Sequence, residues 1–324
     1  MKAAICHAYG KPDALTIQDW PEPSAGEGEV VVRVRSAGVN YADLVVIAGQ
    51  YQTKIDPPFV PGMEIAGEIA SVGAGVNGWQ VGDRVAALID GGGYAEHVAV
   101  PAKRLFKIPD RLGFETAAGT FINYATSYGA LHWRAGLSKG ESVLVLGGAG
   151  GVGLAAIALA RWAGARVIGA ASSAERCALM SSLGAHETID YGSASLRDRV
   201  LELTGKRGAD VIIDPVGGEM GGLALRCIAW SGRIVTLGFP AGNVPTYPAN
   251  ILLVKNVAAL GMYFGSYLQH APDLVREAIA AIQEALVAGS LPAYRIEAVT
   301  LDKLSETLGE IQGRRFTGKA VVTF

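Results

Sequence analysis

The stretch Ser142-Val-Leu-Val-Leu-Gly-Gly-Ala-Gly-Gly-Val-Gly-Leu154 constrains this chain more than any other. Ser142 to Leu146 is an apolar run that reads as a buried strand. It stops at a glycine cluster, and the Ala-rich segment Leu154–Trp162 that follows has helical composition. Gly148, Gly150 and Gly153 match G-x-G-x-x-G in the context that gives the pattern meaning: strand, glycines, helix. The first glycine is expected to permit the tight turn, the second to let a pyrophosphate approach the backbone, and the third to let helix and strand pack closely. Free N–H groups at the helix N-terminus then hold the phosphates. In a chain with 43 glycines a bare match says little, and the alternative is a purely structural turn. In this setting the stretch predicts a dinucleotide site.

A second feature is an absence. Dinucleotide folds usually carry Asp or Glu about 20 residues further on, at the end of the second strand, to bind the ribose hydroxyls. Here that strand is Arg166–Ala171, and it runs into Ser172-Ser173-Ala-Glu-Arg176 with no carboxylate at its tip. Two hydroxyls and a guanidinium one turn later suit a 2′-phosphate, because arginine offers it forked, charge-assisted hydrogen bonds. The plainer alternative has Ser172 capping the next helix and Arg176 solvated. The pattern favours NADPH over NADH.

The length of 324 residues suits two domains with separate cores. Half the residues are hydrophobic and the net charge is −2, so no basic surplus points to nucleic acid. No stretch approaches the roughly 18 apolar residues of a membrane span. The start, Met1–Gly10, reads as a short strand rather than a signal peptide. Cys6, Cys177 and Cys227 are odd in number and widely spaced, which suggests neither a disulfide framework nor a zinc cluster. A reducing cytoplasm is the expected location.

The first 120 or so residues are rich in Val, Gly and Pro, with strand-like runs at Glu29–Ser36, Glu64–Val72, Arg84–Leu88 and Tyr94–Val100 between turn residues. From Ser142 the texture changes to strand–helix alternation, which predicts a parallel sheet covered on both faces. Strands are expected at 142–147, 166–171, 187–190, 210–214, 232–238 and 256–264, and helices at 152–163, 174–183, 195–204 and 219–229. Pro272–Ala288 is amphipathic at helical spacing. The tail reads strand, helix, strand, so the chain is expected to return to the β domain. The expected division is 1–120 with 267–324 for the β domain and 121–266 for the inserted α/β domain.

With these pieces in order, the chain resembles the medium-chain dehydrogenase/reductase superfamily over essentially its whole length. The matching motifs are Arg35-Ser-Ala-Gly-Val-Asn-Tyr-Ala-Asp43, Pro61-Gly-Met-Glu-Ile-Ala-Gly67, Gly78-Trp-Gln-Val-Gly-Asp-Arg-Val85, the glycine loop and Gly318-Lys-Ala-Val-Val322. The resemblance implies an α/β fold: a GroES-like β domain, an inserted Rossmann doubly wound parallel sheet, and a cofactor cleft between them. Zinc members carry a cysteine where this chain has Val39-Asn40 and a histidine where it has Met63. Catalytic zinc needs about three N, S or carboxylate ligands. Residues 86–110 also lack the cysteines of a structural zinc lobe, and the five histidines are scattered. No metal is expected.

Among zinc-free members, Ala-Gly-Val-Asn-x-x-Asp is similar to the quinone oxidoreductase branch, which includes zeta-crystallin. That resemblance implies Asn40 beside the nicotinamide and Tyr51 facing the substrate as the catalytic candidates. It implies 2′-phosphate contacts from Ser172 or Ser173, Arg176 and Tyr191, and another cofactor contact from Arg314. It adds Thr126, Gly151, Val152, Phe239 and Phe264 to Gly148, Gly150 and Gly153 as cofactor-binding residues. The alternative for Tyr191 is strand packing, and Asp43 is expected as a helix cap or member of a buried pair. Pro215 stands where the family often has serine, which removes a hydroxyl contact. The implied reaction is metal-free hydride transfer from NADPH to a quinone or an α,β-unsaturated carbonyl, with Asn40 and Tyr51 stabilising the oxyanion. The alternatives are an enoyl thioester reductase and a non-catalytic NADPH-binding protein. The apolar run 256–264 falls last in its domain, so it is expected at a sheet edge that a second copy covers in a homodimer.

Overall fold

The computed structural model describes residues Met1–Phe324. The chain divides into two compact units, Met1–Ile122 with Arg295–Phe324 and Asn123–Tyr294. The first opens with β1 (Lys2–Cys6), β2 (Leu15–Asp19), β3 (Glu29–Gly38), helix α1 (Tyr41–Ile47), β4 (Glu64–Val72), β5 (Arg84–Leu88), β6 (His97–Pro101) and β7 (Leu105–Lys107). Helix α2 (Phe114–Tyr128) carries the chain across the division.

The second unit holds six strands: β8 (Ser142–Val145), β9 (Arg166–Ala171), β10 (Glu187–Asp190), β11 (Ala209–Asp214), β12 (Ile228–Thr236) and β13 (Ala258–Gly261). Its helices are α3 (Gly151–Trp162), α4 (Ala174–Ser182), α5 (Leu196–Leu203), α6 (Gly218–Ala224), α7 (Ala249–Lys255), α8 (Phe264–His270) and α9 (Pro272–Val287). The chain then returns as β14 (Ile296–Val299), α10 (Leu304–Gln312) and β15 (Lys319–Thr323).

The six strands of the second unit lie in the order β10-β9-β8-β11-β12-β13, all parallel. β8 and β11 are neighbours although two strand–helix units separate them in sequence, so the order reverses between them. In doubly wound sheets ligands bind beyond the C-terminal strand ends at such a switch point, and β8 delivers the glycine loop there. Leu144, Leu146, Ile168, Ile189, Ile212 and Ile234 form a core beneath it. The start of β8 is pinned where the Ser142 N–H and hydroxyl both donate to Asp210 Oδ2, at 2.8 and 2.7 Å.

In the first unit the sheet order is β14-β15-β3-β4-β5-β7, with β6 on β3. Two registers matter for chemistry. β15 pairs antiparallel with β3 through Val321 opposite Gly38, and the Val39 N–H donates to the Ala320 carbonyl at 3.0 Å. Continued two residues, that register sets Lys319 opposite Asn40. β4 pairs with β3 through Ile65 opposite Ala37, which sets Glu64 beside Gly38.

The return to the first unit comes at Arg295 rather than at 267. α9 buries its apolar stripe, Val275, Ala278, Ile279 and Ile282, within the second unit. The end of that unit is tied down by Tyr124, whose hydroxyl donates to the Pro292 carbonyl at 2.5 Å, and by Asn123, whose Nδ2 donates to the Tyr294 hydroxyl at 3.0 Å. The run expected as a strand over 256–264 shortens to four residues. Asn256 ends α7 in the left-handed region (φ 54°), and α8 begins at Phe264. β13 does form the sheet edge, and Ala258, Ala259 and Gly261 on it are exposed. No helix is long and apolar enough to cross a membrane.

Candidate active site

The nucleotide end of the second unit is built on glycines, each with its own structural reason. The left-handed residue of the loop is Gly147 (φ 54°), not Gly148. A side chain at Gly148 would instead strike Met180, its Cβ 2.3 Å from the sulfur. Gly150 caps the N-terminus of α3 from an extended conformation, and its nearest neighbour to a Cβ is the Gly147 carbonyl at 3.5 Å, so this face is open. A Cβ at Gly153 would fall 2.5 Å from the Gly147 oxygen and 2.7 Å from the Gly148 Cα, so α3 packs on the loop only with glycine there. Gly151 and Val152 form the first turn of α3, whose N–H groups have no acceptor within the helix. An open glycine face at a helix N-terminus is a fitting cradle for a pyrophosphate.

At the tip of β9, Ser172, Ser173 and Arg176 come together. Ser173, not Ser172, is the N-cap of α4, accepting the Arg176 N–H at 3.4 Å. Ser172 is exposed, and its hydroxyl accepts from Arg176 Nη1 at 3.0 Å. Tyr191, at the end of the adjacent β10, donates its N–H to the Ala171 carbonyl at 3.0 Å and packs half-buried on the sheet core. Ser172, Ser173 and Arg176 therefore stand together at the tip of β9, which carries no carboxylate, and Tyr191 follows the neighbouring strand β10. Thr126 is half-buried on α2, Phe264 is buried at the start of α8, and Phe239 is exposed in the loop after β12. Arg314 belongs to the first unit, exposed and left-handed (φ 57°) after α10.

In the first unit, Asn40 caps α1 and is buried. Its carboxamide is held by two charged side chains that the sequence reading did not single out. Lys319 Nζ donates to Asn40 Oδ1 at 2.5 Å, and Asn40 Nδ2 donates to Glu64 Oε2 at 3.1 Å. Lys319 and Glu64 close the triangle at 3.2 Å, with side-chain exposures of 2% and 1%. The other Glu64 oxygen accepts the Ile122 N–H at 2.7 Å. Gly38 makes room for this carboxylate, since a Cβ there would lie 2.4 Å from Oε2.

Beside the triangle, Asp43 Oδ2 accepts the Asn40 N–H at 2.7 Å and the Tyr94 hydroxyl at 2.6 Å, so Asp43 is both a cap and a member of a buried pair. Its Oδ1 has no partner. Burial pushes the Asp43 carboxyl up to about 6, against the opposing pull of Tyr94, the Asn40 N–H and Lys319. Burial, with the charge of Asp43, also drives the Tyr94 hydroxyl well above its ordinary range. Tyr51 lies half-buried against the same core. Glu64 and Lys319 each stand alone in a buried strand motif, and a solitary charge in such a run was the signal that could have found them: buried charges need partners.

No group of three or more His, Cys, Asp or Glu side chains is placed to hold a metal ion. A GroES-like β unit interrupted by a doubly wound sheet with a phosphate-ready loop defines a two-domain oxidoreductase of the dinucleotide-dependent kind. A family model described as alcohol dehydrogenase GroES-like domain matches residues 26–110, and one described as zinc-binding dehydrogenase matches residues 151–284. The chain is 42% identical over 325 residues to the quinone oxidoreductase-like protein 2 homolog of Nematostella vectensis, covering 99% of this chain and 88% of that protein. The quinone oxidoreductase of Pseudomonas syringae pv. Tomato DC3000 superposes with a TM-score of 0.93 at 31% identity, over 100% of this chain and 99% of that one. The Escherichia coli quinone oxidoreductase, solved in complex with NADPH, gives 0.93 at 25% identity over 100% of both chains. The chain belongs to the quinone oxidoreductase branch of the medium-chain dehydrogenase/reductase superfamily.

Proposed function

We propose that this protein reduces quinones, or α,β-unsaturated carbonyls, with NADPH and without a metal ion. The observation that carries the reading is the tip of β9, where Arg176 and Ser172 stand hydrogen-bonded with no carboxylate. NADPH, when bound, supplies the hydride. Ser172, Ser173, Arg176 and Tyr191 bind the 2′-phosphate, and the open face of Gly150 with the first turn of α3 receives the pyrophosphate. An NADPH complex of a relative with the same fold supports this assignment.

Hydride addition leaves negative charge on the acceptor oxygen, and fixed donors must meet it. The phenol of Tyr51 is the stronger candidate. Asn40 has one Nδ2 hydrogen committed to Glu64, and the other faces the Gly38 carbonyl at 3.4 Å. That second bond is long, and it is the one for which an acceptor oxygen would compete. Zinc does not fit here. Where zinc members carry Cys and His this chain offers an amide and the Met63 thioether, and the cation beside Asn40 is the Lys319 ammonium.

The test is NADPH oxidation followed by absorbance with 1,4-benzoquinone, a small enone, crotonyl-CoA and no acceptor. Turnover is expected with the first two. Tyr51→Phe is expected to lower enone turnover by about 100-fold, the lower end for one lost oxyanion donor, and quinone turnover by less. Quinones accept hydride readily without an acid. Turnover with crotonyl-CoA alone would transfer the reading to enoyl thioesters. Unchanged turnover in Tyr51→Phe and Asn40→Ala would reduce both residues to packing.

A further inference from the structure

We propose that Lys319 is a positioning residue for this reduction: it locks the Asn40 carboxamide in one flip state and polarises it. The proposal rests on the reading of Asn40 given above. A carboxamide has nearly the same shape either way round, and only its hydrogen-bond partners distinguish oxygen from nitrogen. Here they are opposite charges. The ammonium faces Oδ1 at 2.5 Å and the carboxylate faces Nδ2 at 3.1 Å. A flipped amide would turn NH2 toward the ammonium and oxygen toward the carboxylate, replacing two attractions with two repulsions. Both charged groups are buried, so water does not soften the contrast.

The pair also acts on the strength of the donor. A carbonyl oxygen bonded to a cation draws electron density from its amide nitrogen, and hydrogen bonds in a chain reinforce one another at low dielectric. Lys319 thereby strengthens the Nδ2 hydrogen in the long bond to the Gly38 carbonyl, against the opposite effect of the Glu64 carboxylate on the same nitrogen. A buried pair of this kind is weak evidence for stability, because well-packed apolar residues often do as well. Its chemical effect is to set an ammonium on the oxygen side of the Asn40 amide and a carboxylate on the nitrogen side. The antiparallel register of β15 on β3 delivers it, since Lys319 is 279 residues away in sequence.

Two measurements test this on the full-length protein. The chain has six asparagines, so asparagine-selective nitrogen-15 labelling resolves few side-chain signals, and Asn40→Ala identifies the pair that disappears. Two widely separated, slowly exchanging Asn40 NH2 protons are expected in the wild type. They should shift and exchange faster in Lys319→Met and recover in part in Lys319→Arg. In kinetics with 1,4-benzoquinone, Lys319→Met should lower kcat by about tenfold, below the 10²–10³ typical of a lost oxyanion donor, with NADPH affinity unchanged. In an Asn40→Ala background it should cost nothing more, because coupled residues are not additive. Where Lys319→Met fails to fold, Glu64→Gln with Lys319→Met removes both charges together and carries the same tests. Unaltered Asn40 signals, or kcat losses that multiply, would overturn the proposal. A wild type inert toward quinones and enones would overturn the proposed function instead, while the Asn40 signals still report on positioning.

Discussion

Asp43→Asn probes the buried polar cluster through its pH dependence. The folded carboxyl titrates at about 6 against an ordinary 3.8, chiefly because burial disfavours the charged form. Below about pH 4 it is protonated in both folded and unfolded chains and costs nothing. Between there and about pH 6 only the unfolded chain releases its proton, so stability falls as pH rises, and above about 6 the penalty is fully present. Two units at 1.36 kcal/mol each give about 3 kcal/mol. Asparagine matches the shape and retains an acceptor for the Asn40 N–H and the Tyr94 hydroxyl, now 2.7 and 2.6 Å from Oδ2. The assay is urea unfolding of wild type and Asp43→Asn at a series of pH values. Relative to wild type, the variant should gain about 2–3 kcal/mol between roughly pH 4 and pH 7. Parallel stability curves would refute the reasoning. A variant that loses ground above pH 6 would show that the Asp43 charge is favourably balanced by Lys319.

Arg176→Ala should weaken NADPH binding by about tenfold, the lower end for charge-assisted bonds at a half-exposed site. NADH, lacking the 2′-phosphate, should change little; dissociation constants from cofactor fluorescence decide this, and equal losses for both would leave Arg176 a solvated helix residue. The exposed edge strand β13, preceded by Leu253 and Val254 at 77% and 76% exposure, is expected to pair two copies. Light scattering should give a dimer mass that falls in Leu260→Lys, and a monomeric wild type would dispose of that reading.

Much of this was legible in the sequence because it is local. A strand, a glycine loop and a helix follow one another without interruption from Ser142 to Trp162, and the missing carboxylate on β9 is read at a single turn. Even there, the tight turn expected of Gly148 takes its left-handed residue from Gly147, which precedes the motif, and Gly148 is instead confined by Met180 and Ile157. The division at 294 rather than 266 escaped notice because α9 is amphipathic wherever it packs, and its stripe does not name the partner surface. The triangle of Asn40, Glu64 and Lys319 was least visible. It exists only through two strand registers, β15 on β3 and β4 on β3, and no pattern in either segment alone specifies them.

The proposed reduction is metal-free and selects NADPH at the tip of β9. Its most direct test is the ratio of kcat/KM for NADPH to that for NADH, with 1,4-benzoquinone as acceptor, before and after exhaustive dialysis against a chelator. The account predicts a ratio of about 10 or more, unchanged by chelation. A ratio near one, or activity lost on chelation and restored by zinc, would contradict it.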